Sequence, residues 1–164
     1  MITMLVGKMK HLKMGNPQDF SVHVGPVIDQ DALKRLKKHK KKLDEMGRLI
    51  YQSPDHKEAK KGTFFAPVVY EINSVNDITE EVFGPILHIV RYQRDQLDQV
   101  IEQVNQSGFG LTLGIHSRID SFTSYVIEKT KVGNNYINRN MIGAVVGVQP
   151  FGGMLCSGSG PKAG

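Results

Sequence analysis

The sequence predicts an α/β protein, with an open, mostly parallel, twisted sheet flanked by helices. Two observations carry that prediction. From Ile86 to Arg139 short strand-like runs alternate with helical apolar stripes, a pattern that builds parallel sheets through right-handed crossovers. The chain has 164 residues, 40% of them apolar and 23% charged, which suits one globular domain with a sizeable core.

The elements follow in order. Ile2, Leu5, Val6, Met9 and Leu12 keep helical spacing up to the turn Gly15-Asn16-Pro17. After a short apolar segment, Val22 to Ile28, either Asp29 or Asp31 can cap a helix that runs to Met46 and stops at Gly47. "RLIYQ" reads as a strand, "SPDHKEAKKG" as a surface loop, and "TFFAPVVYEI" as a buried strand flawed by Pro67. "ILHIVRY" (Ile86 to Tyr92) is another strand. Leu97, Val100, Ile101 and Val104 form a helical stripe closing at Gly108. "LTLGIHS" is a strand, Ser121 begins a helix through Phe122, Tyr125 and Val126 to Gly133, and "NYINR" is the last strand. No repeat or linker divides the chain. An apolar stripe begins at the second residue without a cap, and the other end stops within glycine-rich sequence. Residues 1–164 are therefore expected to be one piece of a larger domain, truncated at both ends.

Composition excludes several functions. No apolar run approaches a membrane span, and no signal peptide is visible. One cysteine, Cys156, precludes an internal disulfide framework and fits a reducing compartment. CxxC and HExxH patterns are absent and the histidines are scattered, so no metal site is expected. The net charge of +5 is concentrated in "KRLKKHKKK", Lys34 to Lys42. A nucleic-acid patch is one reading. The solvated face of an amphipathic helix is favoured, because Leu33, Leu36, Lys40 (through its stem) and Leu43 keep helical spacing and no aromatics interleave.

"MIGAVVGVQPFGGMLCSGSG", Met141 to Gly160, is uncharged and rich in glycine yet carries Ile142, Val145, Val146, Val148 and Phe151. Such a segment is neither a helix interior nor a disordered tail; it reads as a loop that approaches something closely. Two more motifs precede it: "EEVFGP", Glu80 to Pro85, and "GFGLTLGIHSR", Gly108 to Arg118. With "VGNNYINRNMIGAVVGVQPFGG", Val132 to Gly153, they occur together and in order.

These motifs resemble the C-terminal half of the catalytic domain of the aldehyde dehydrogenase superfamily. Within it the match is to the L-glutamate γ-semialdehyde (Δ1-pyrroline-5-carboxylate) dehydrogenases, in the wording of bacterial bifunctional proline utilization A enzymes. "KMGNP", "VGPVID" and "KGTFFAPVV" also match, so the resemblance spans essentially the whole chain.

The resemblance implies a parent enzyme that oxidises L-glutamate γ-semialdehyde to L-glutamate with NAD in proline catabolism. It implies that Glu81 and Phe83 contact the nicotinamide-ribose half of NAD, with Leu111 near the nicotinamide. A carboxylate can accept from two adjacent ribose hydroxyls, and an aromatic face can pack beside the sugar. On spacing alone, a capping Glu and a core Phe before a turn is the favoured reading of "EVFGP"; the company of the other motifs turns it to the functional one. Gly143 and Ala144 match the loop that anchors the substrate α-carboxylate, where successive backbone N–H groups form an anion nest. Phe151 matches an aromatic packed on the substrate's aliphatic part; an ordinary glycine turn with a core Phe is the plainer alternative. Asn138 is expected to fix loop backbone rather than touch substrate.

The superfamily works through a cysteine thiolate and a glutamate base. The resemblance puts the nucleophile in a "GQxC" motif upstream of the "GNP" turn, outside this chain. Cys156, after "PFGG", matches no family cysteine and has no nearby His or Lys in sequence to activate it. No catalytic residue is therefore expected here, and the chain alone should be inactive. FAD would belong only to a proline dehydrogenase domain, of which these residues show nothing. Expected partners are the semialdehyde, the remainder of the parent dehydrogenase and other copies of the chain. The setting implied is the bacterial cytoplasm, with a parent that can be membrane-peripheral. The competing function is a standalone basic interaction or nucleic-acid-binding module.

Overall fold

The structure is a computed structural model that describes residues 1–55, 61–142 and 148–162. It divides into two compact units, Met1–Arg91 and Tyr92–Gly164.

In the first unit, helix α1 spans Ile2–Met9. It ends one turn earlier than the apolar stripe suggests. The amides of His11 and Leu12 bond to Lys8 and Met9, a three-residue step that tightens the last turn and releases the chain. Helix α2 spans Gln30–Met46. Between the two acidic candidates the cap is Asp29, whose Oδ1 accepts from the Ala32 amide at 2.7 Å. Ala32, Leu33, Leu36, His39 and Leu43 are buried along α2, while Lys34, Lys37, Lys38 and Lys41 are exposed. Lys40 lies between these faces, paired with Asp44 at 3.0 Å and 5.8 Å from the Tyr70 ring centre. The basic run is therefore the wet side of a helix whose other side is core.

Strands β1 (Arg48–Gln52), β2 (Val68–Ile72) and β3 (Ile86–Val90) form one sheet in that order. Pro67 precedes β2 rather than interrupting it, so its missing N–H costs the ladder nothing. Its carbonyl still accepts from Ser53 at 2.9 Å. Val68, Val69 and Tyr70 are almost fully buried and β2 lies between its two neighbours. Leu33, Leu36 and Leu43 of α2 share a core with Phe65, Val68, Tyr70 and Ile72.

The second unit holds α3 (Leu97–Gln106), β4 (Phe109–Gly110), β5 (Thr112–Ile115), α4 (Asp120–Lys129), β6 (Asn134–Ile137) and β7 (Met154–Leu155). Helix α3 closes as its stripe predicts, with Gly108 at φ +79°. Helix α4 stops well before Gly133, because Thr130 is already extended and its hydroxyl bonds back to the Val126 carbonyl at 2.8 Å. Ile101, Ile115 and Val126 centre this unit's core.

The α/β class holds, with parallel pairing of β2 with β3 and of β5 with β6. Among the described residues the strands nevertheless form three small sheets, and β1–β2 and β4–β7 pair antiparallel. β1 and β2 are joined by the residues from Gln52 to Val68 and pair antiparallel, as neighbours that need no crossover do.

Candidate functional site

The candidate residues fall on two segments, one in each unit. In the first unit, Glu80 to Pro85 leads into β3. Val82 packs against the α2–β2 core while Glu81 and Phe83 face solvent. Phe83 is 86% exposed, so it is no core residue. Among the described residues Glu81 makes no ion pair, leaving its carboxylate free to accept hydrogen bonds.

Gly84 explains how the segment lies so close to the helix. A Cβ there would sit 2.5 Å from Cδ2 of Leu36, so any side chain at this position would have to displace that buried leucine. The carbonyl of Gly84 accepts from Ile86 at 2.8 Å and that of Pro85 from Val68 at 3.0 Å, which ties the turn into the sheet. Beside the segment is a cleft of about 550 Å³ with Val27, Ile28, Ala32 and Leu36 among its apolar walls. Glu80, Glu81, Phe83, Arg35 and His39 also border it.

In the second unit the described part of the neutral segment packs backbone to backbone. A Cβ at Gly133 would lie 1.9 Å from the Gly152 carbonyl oxygen, and one at Gly110 would lie 3.0 Å from that of Met154. A Cβ at Gly153 would meet Cβ of Ser157 at 2.4 Å. These approaches account for glycines that the sequence shows only as a flexible-looking run. Phe151 is half-buried, and its backbone exchanges two hydrogen bonds with Lys162, at 2.9 and 3.1 Å.

Asn134, buried on β6, was not among the expected site residues. Its Nδ2 donates to the carbonyls of Leu111 at 3.0 Å and Gly152 at 2.8 Å, joining Leu111 to the residue after Phe151. The available signal was an amide side chain at a strand position where apolar residues belong. Leu111 itself is 42% exposed. Asn138, at φ +54°, accepts from the Ser117 amide and donates to the Ser117 carbonyl. It does fix backbone, but that of the turn before α4.

Gly143 and Ala144 lie outside the described residues. Cys156 is exposed, and its amide donates to Gly108 at 3.0 Å.

The comparisons with known proteins agree with this architecture. The family model described as "Aldehyde dehydrogenase family" matches residues 1–164. The chain belongs to the aldehyde dehydrogenase family. It is 50% identical to the bifunctional protein PutA of Klebsiella aerogenes over 99% of this chain and 13% of that protein. It is 36% identical to the 1-pyrroline-5-carboxylate dehydrogenase of a Geobacillus species, over 94% of this chain and 30% of that protein. A crystal structure of a Bradyrhizobium japonicum proline utilization A variant superposes with a TM-score of 0.92 at 50% identity, over 99% of this chain and 16% of that one. The chain thus spans about one-eighth of the PutA proteins it matches and 30% of the Geobacillus dehydrogenase. Membership in this family implies a nicotinamide-type cofactor.

Proposed function

We propose that this chain forms part of an NAD-dependent dehydrogenase that oxidises L-glutamate γ-semialdehyde to L-glutamate, supplying contacts to cofactor and substrate but no nucleophile. The observation that carries the reading is the open Glu81–Phe83 edge beside a cleft, with Val82 and Gly84 anchored to the core beneath it. This donor set suits the group. Glu81 would accept from the ribose hydroxyls, Phe83 would cover one side of the nicotinamide ribose, and Leu111 would lie near the nicotinamide. NAD, when bound, accepts the hydride released from the aldehyde carbon. On the substrate side, the backbone amides at Gly143 and Ala144 would hold the α-carboxylate, and Phe151 would pack on the methylenes. Asn134 would keep Leu111 and the Phe151 turn in register.

The sole cysteine of this chain is Cys156, which has no assigned role in the reaction. Nucleophile, base and the rest of the cofactor site would come from other residues of the parent enzyme. The isolated chain is expected to form no NADH from the semialdehyde, and its exposed apolar side chains are expected to drive self-association.

A chimera tests the reading. This chain replaces the matching segment of the Klebsiella protein, and NADH formation from the semialdehyde is followed. Activity should persist, with Glu81→Ala raising KM for NAD and Phe151→Ala raising KM for the semialdehyde. A folded chimera without activity, or one indifferent to both substitutions, overturns it. NADH production by the 164-residue chain alone would also overturn the assignment of the nucleophile elsewhere.

A further inference from the structure

His39 lies on α2, one turn beyond Arg35 and Leu36, and is 8% exposed. Its Nε2 is 2.9 Å from Nε2 of His88 on β3, the rings meeting edge to face at 78° with centres 5.1 Å apart. Two imidazole nitrogens at that separation bond only if one carries a proton and the other does not. The pair can be neutral, or can hold one additional proton. A second additional proton points two N–H groups at each other and breaks the bond.

The pair also lies beside the cofactor-facing segment. His39 borders the same cleft as Glu81 and Phe83, and Leu36, its neighbour on the buried face of α2, lies under Gly84. Strand β3 starts at Ile86, two residues after Gly84, and His88 is its third residue. Parting α2 from β3 at the two rings therefore loosens the packing that carries Glu81 and Phe83.

We propose that the His39–His88 pair is a proton-linked clamp between α2 and β3 that positions the Glu81–Phe83 segment, so that acidification releases the segment. The link to catalysis rests on the cofactor role proposed above for that segment; the clamp itself does not. The groups around the pair come from every element packed on it: Tyr70 of β2 stands in register with His88 and donates to Asp44 of α2, which also pairs with Lys40. Lys42 and Arg35 flank His39 on α2, Glu80 and Glu81 approach from the segment before β3, and the two rings face each other. Burial pushes His39 below the ordinary imidazole value of 6.5; Lys42 adds to this and Glu80 opposes it. Burial likewise lowers His88, with His39 adding to it. The folded state thus resists protonation more than the unfolded chain does. Stability from the pair is complete above pH 6.5 and is lost as pH falls from there through the lower folded values.

The test is NMR on the full chain without cofactor, following imidazole nitrogens and backbone amides from about pH 8 to about pH 5. Both rings should titrate below 6.5, and the amides of Val82, Phe83 and Gly84 should shift with the lower of the two midpoints, where the second additional proton breaks the bond. His88→Gln separates a clamp from general acid sensitivity. A Gln side chain can donate to neutral His39 or accept from protonated His39, so the clamp stays shut. The variant should keep the wild-type positions of these amides near pH 8 and lose their shift on acidification.

Ring midpoints at or above 6.5, amides that ignore the ring titration, or a shift that survives in His88→Gln would each overturn the proposal. The wild-type titration decides alone if the variant does not fold. In the chimera, KM for NAD should rise several-fold between about pH 8 and about pH 5, and His88→Gln should flatten that rise with kcat little changed. An identical pH profile in both proteins removes the catalytic link. The NMR result stands whether or not the chimera is active, so failure of the clamp and failure of the dehydrogenase reading are distinguishable.

Discussion

At Gly133 a single methyl group decides whether the loop can close. A Cβ there would lie 1.9 Å from the carbonyl oxygen of Gly152, and backbone on both sides leaves no flexible side chain to swing away. Gly133→Ala is expected to destabilise the chain by about 1–3 kcal/mol, the usual cost of forcing atoms into filled space. Urea denaturation followed by circular dichroism measures it, and an unchanged midpoint would show that the contact is relieved. Cys156 gives the opposite expectation. It is exposed, and what it contributes to the fold here is its backbone bond to Gly108. In the chimera, Cys156→Ser should leave kcat within about twofold of the parent, whereas a nucleophile would cost several orders of magnitude. Residue by residue, the sequence displayed Glu81 and Phe83 because they sit in a recognisable motif. It concealed Asn134 and His39, since each matters through a partner distant along the chain. The run "KRLKKHKKK" displays His39 as one more basic residue, yet the helical turn sends it to the buried side with Leu36 and Leu43.

At the scale of elements, Glu71 on β2 fastens its own sheet. Its carboxylate takes Arg48 of β1 on one oxygen and Arg91, just beyond β3, on the other at 2.9 Å. Arg48 chiefly, with Arg91 assisting, holds the carboxyl below its ordinary value of 4.5. A carboxylate depressed in the folded state stabilises above its unfolded value and loses that contribution as pH falls through the folded one. Stability should therefore decline as pH drops below 4.5, and Glu71→Gln should flatten part of that acid limb. Thermal melts from about pH 6 to about pH 3 would show this; parallel slopes in the two proteins would refute it. Helices α2 and α3 were legible because a 3.6-residue period and a stopping glycine are local signals, to which α2 adds its Asp29 cap. Strand direction was not legible. Apolar patterning marks β1 and β2 as strands but says nothing of whether they pair parallel or antiparallel, which depends on the connection between them. The two-residue strands β4 and β7 offer no period at all. They exist because the Gly152–Gly160 turn returns the chain to Gly108, where Cys156 and Ser157 bond to the Gly108–Gly110 backbone.

At the scale of the whole chain, apolar side chains stand bare in both units. Phe20 and Ile28 are fully or almost fully exposed in the first, as is Phe83. Ile142 at 84% and Val148 at 72% are exposed in the second. A single exposed leucine or valine needs no explanation in a folded protein, but several large apolar side chains, Phe20, Ile28 and Phe83 above all, left in water at this level do. The proteins that this chain matches are far longer, the PutA relative by about eightfold. In a parent of that size further residues are available to cover such side chains, whereas the isolated chain can cover them only with other copies of itself. Burial of exposed Phe and Ile recovers about 1.5–3 kcal/mol per side chain, enough for several to favour association at micromolar concentrations. Sedimentation equilibrium should therefore give a weight-average mass that exceeds the monomer and climbs with concentration. Mild urea or Phe20→Ser with Phe83→Ser should lower it. A monomer mass at every concentration, together with no binding of an apolar dye, would mean that these side chains find cover within the chain itself.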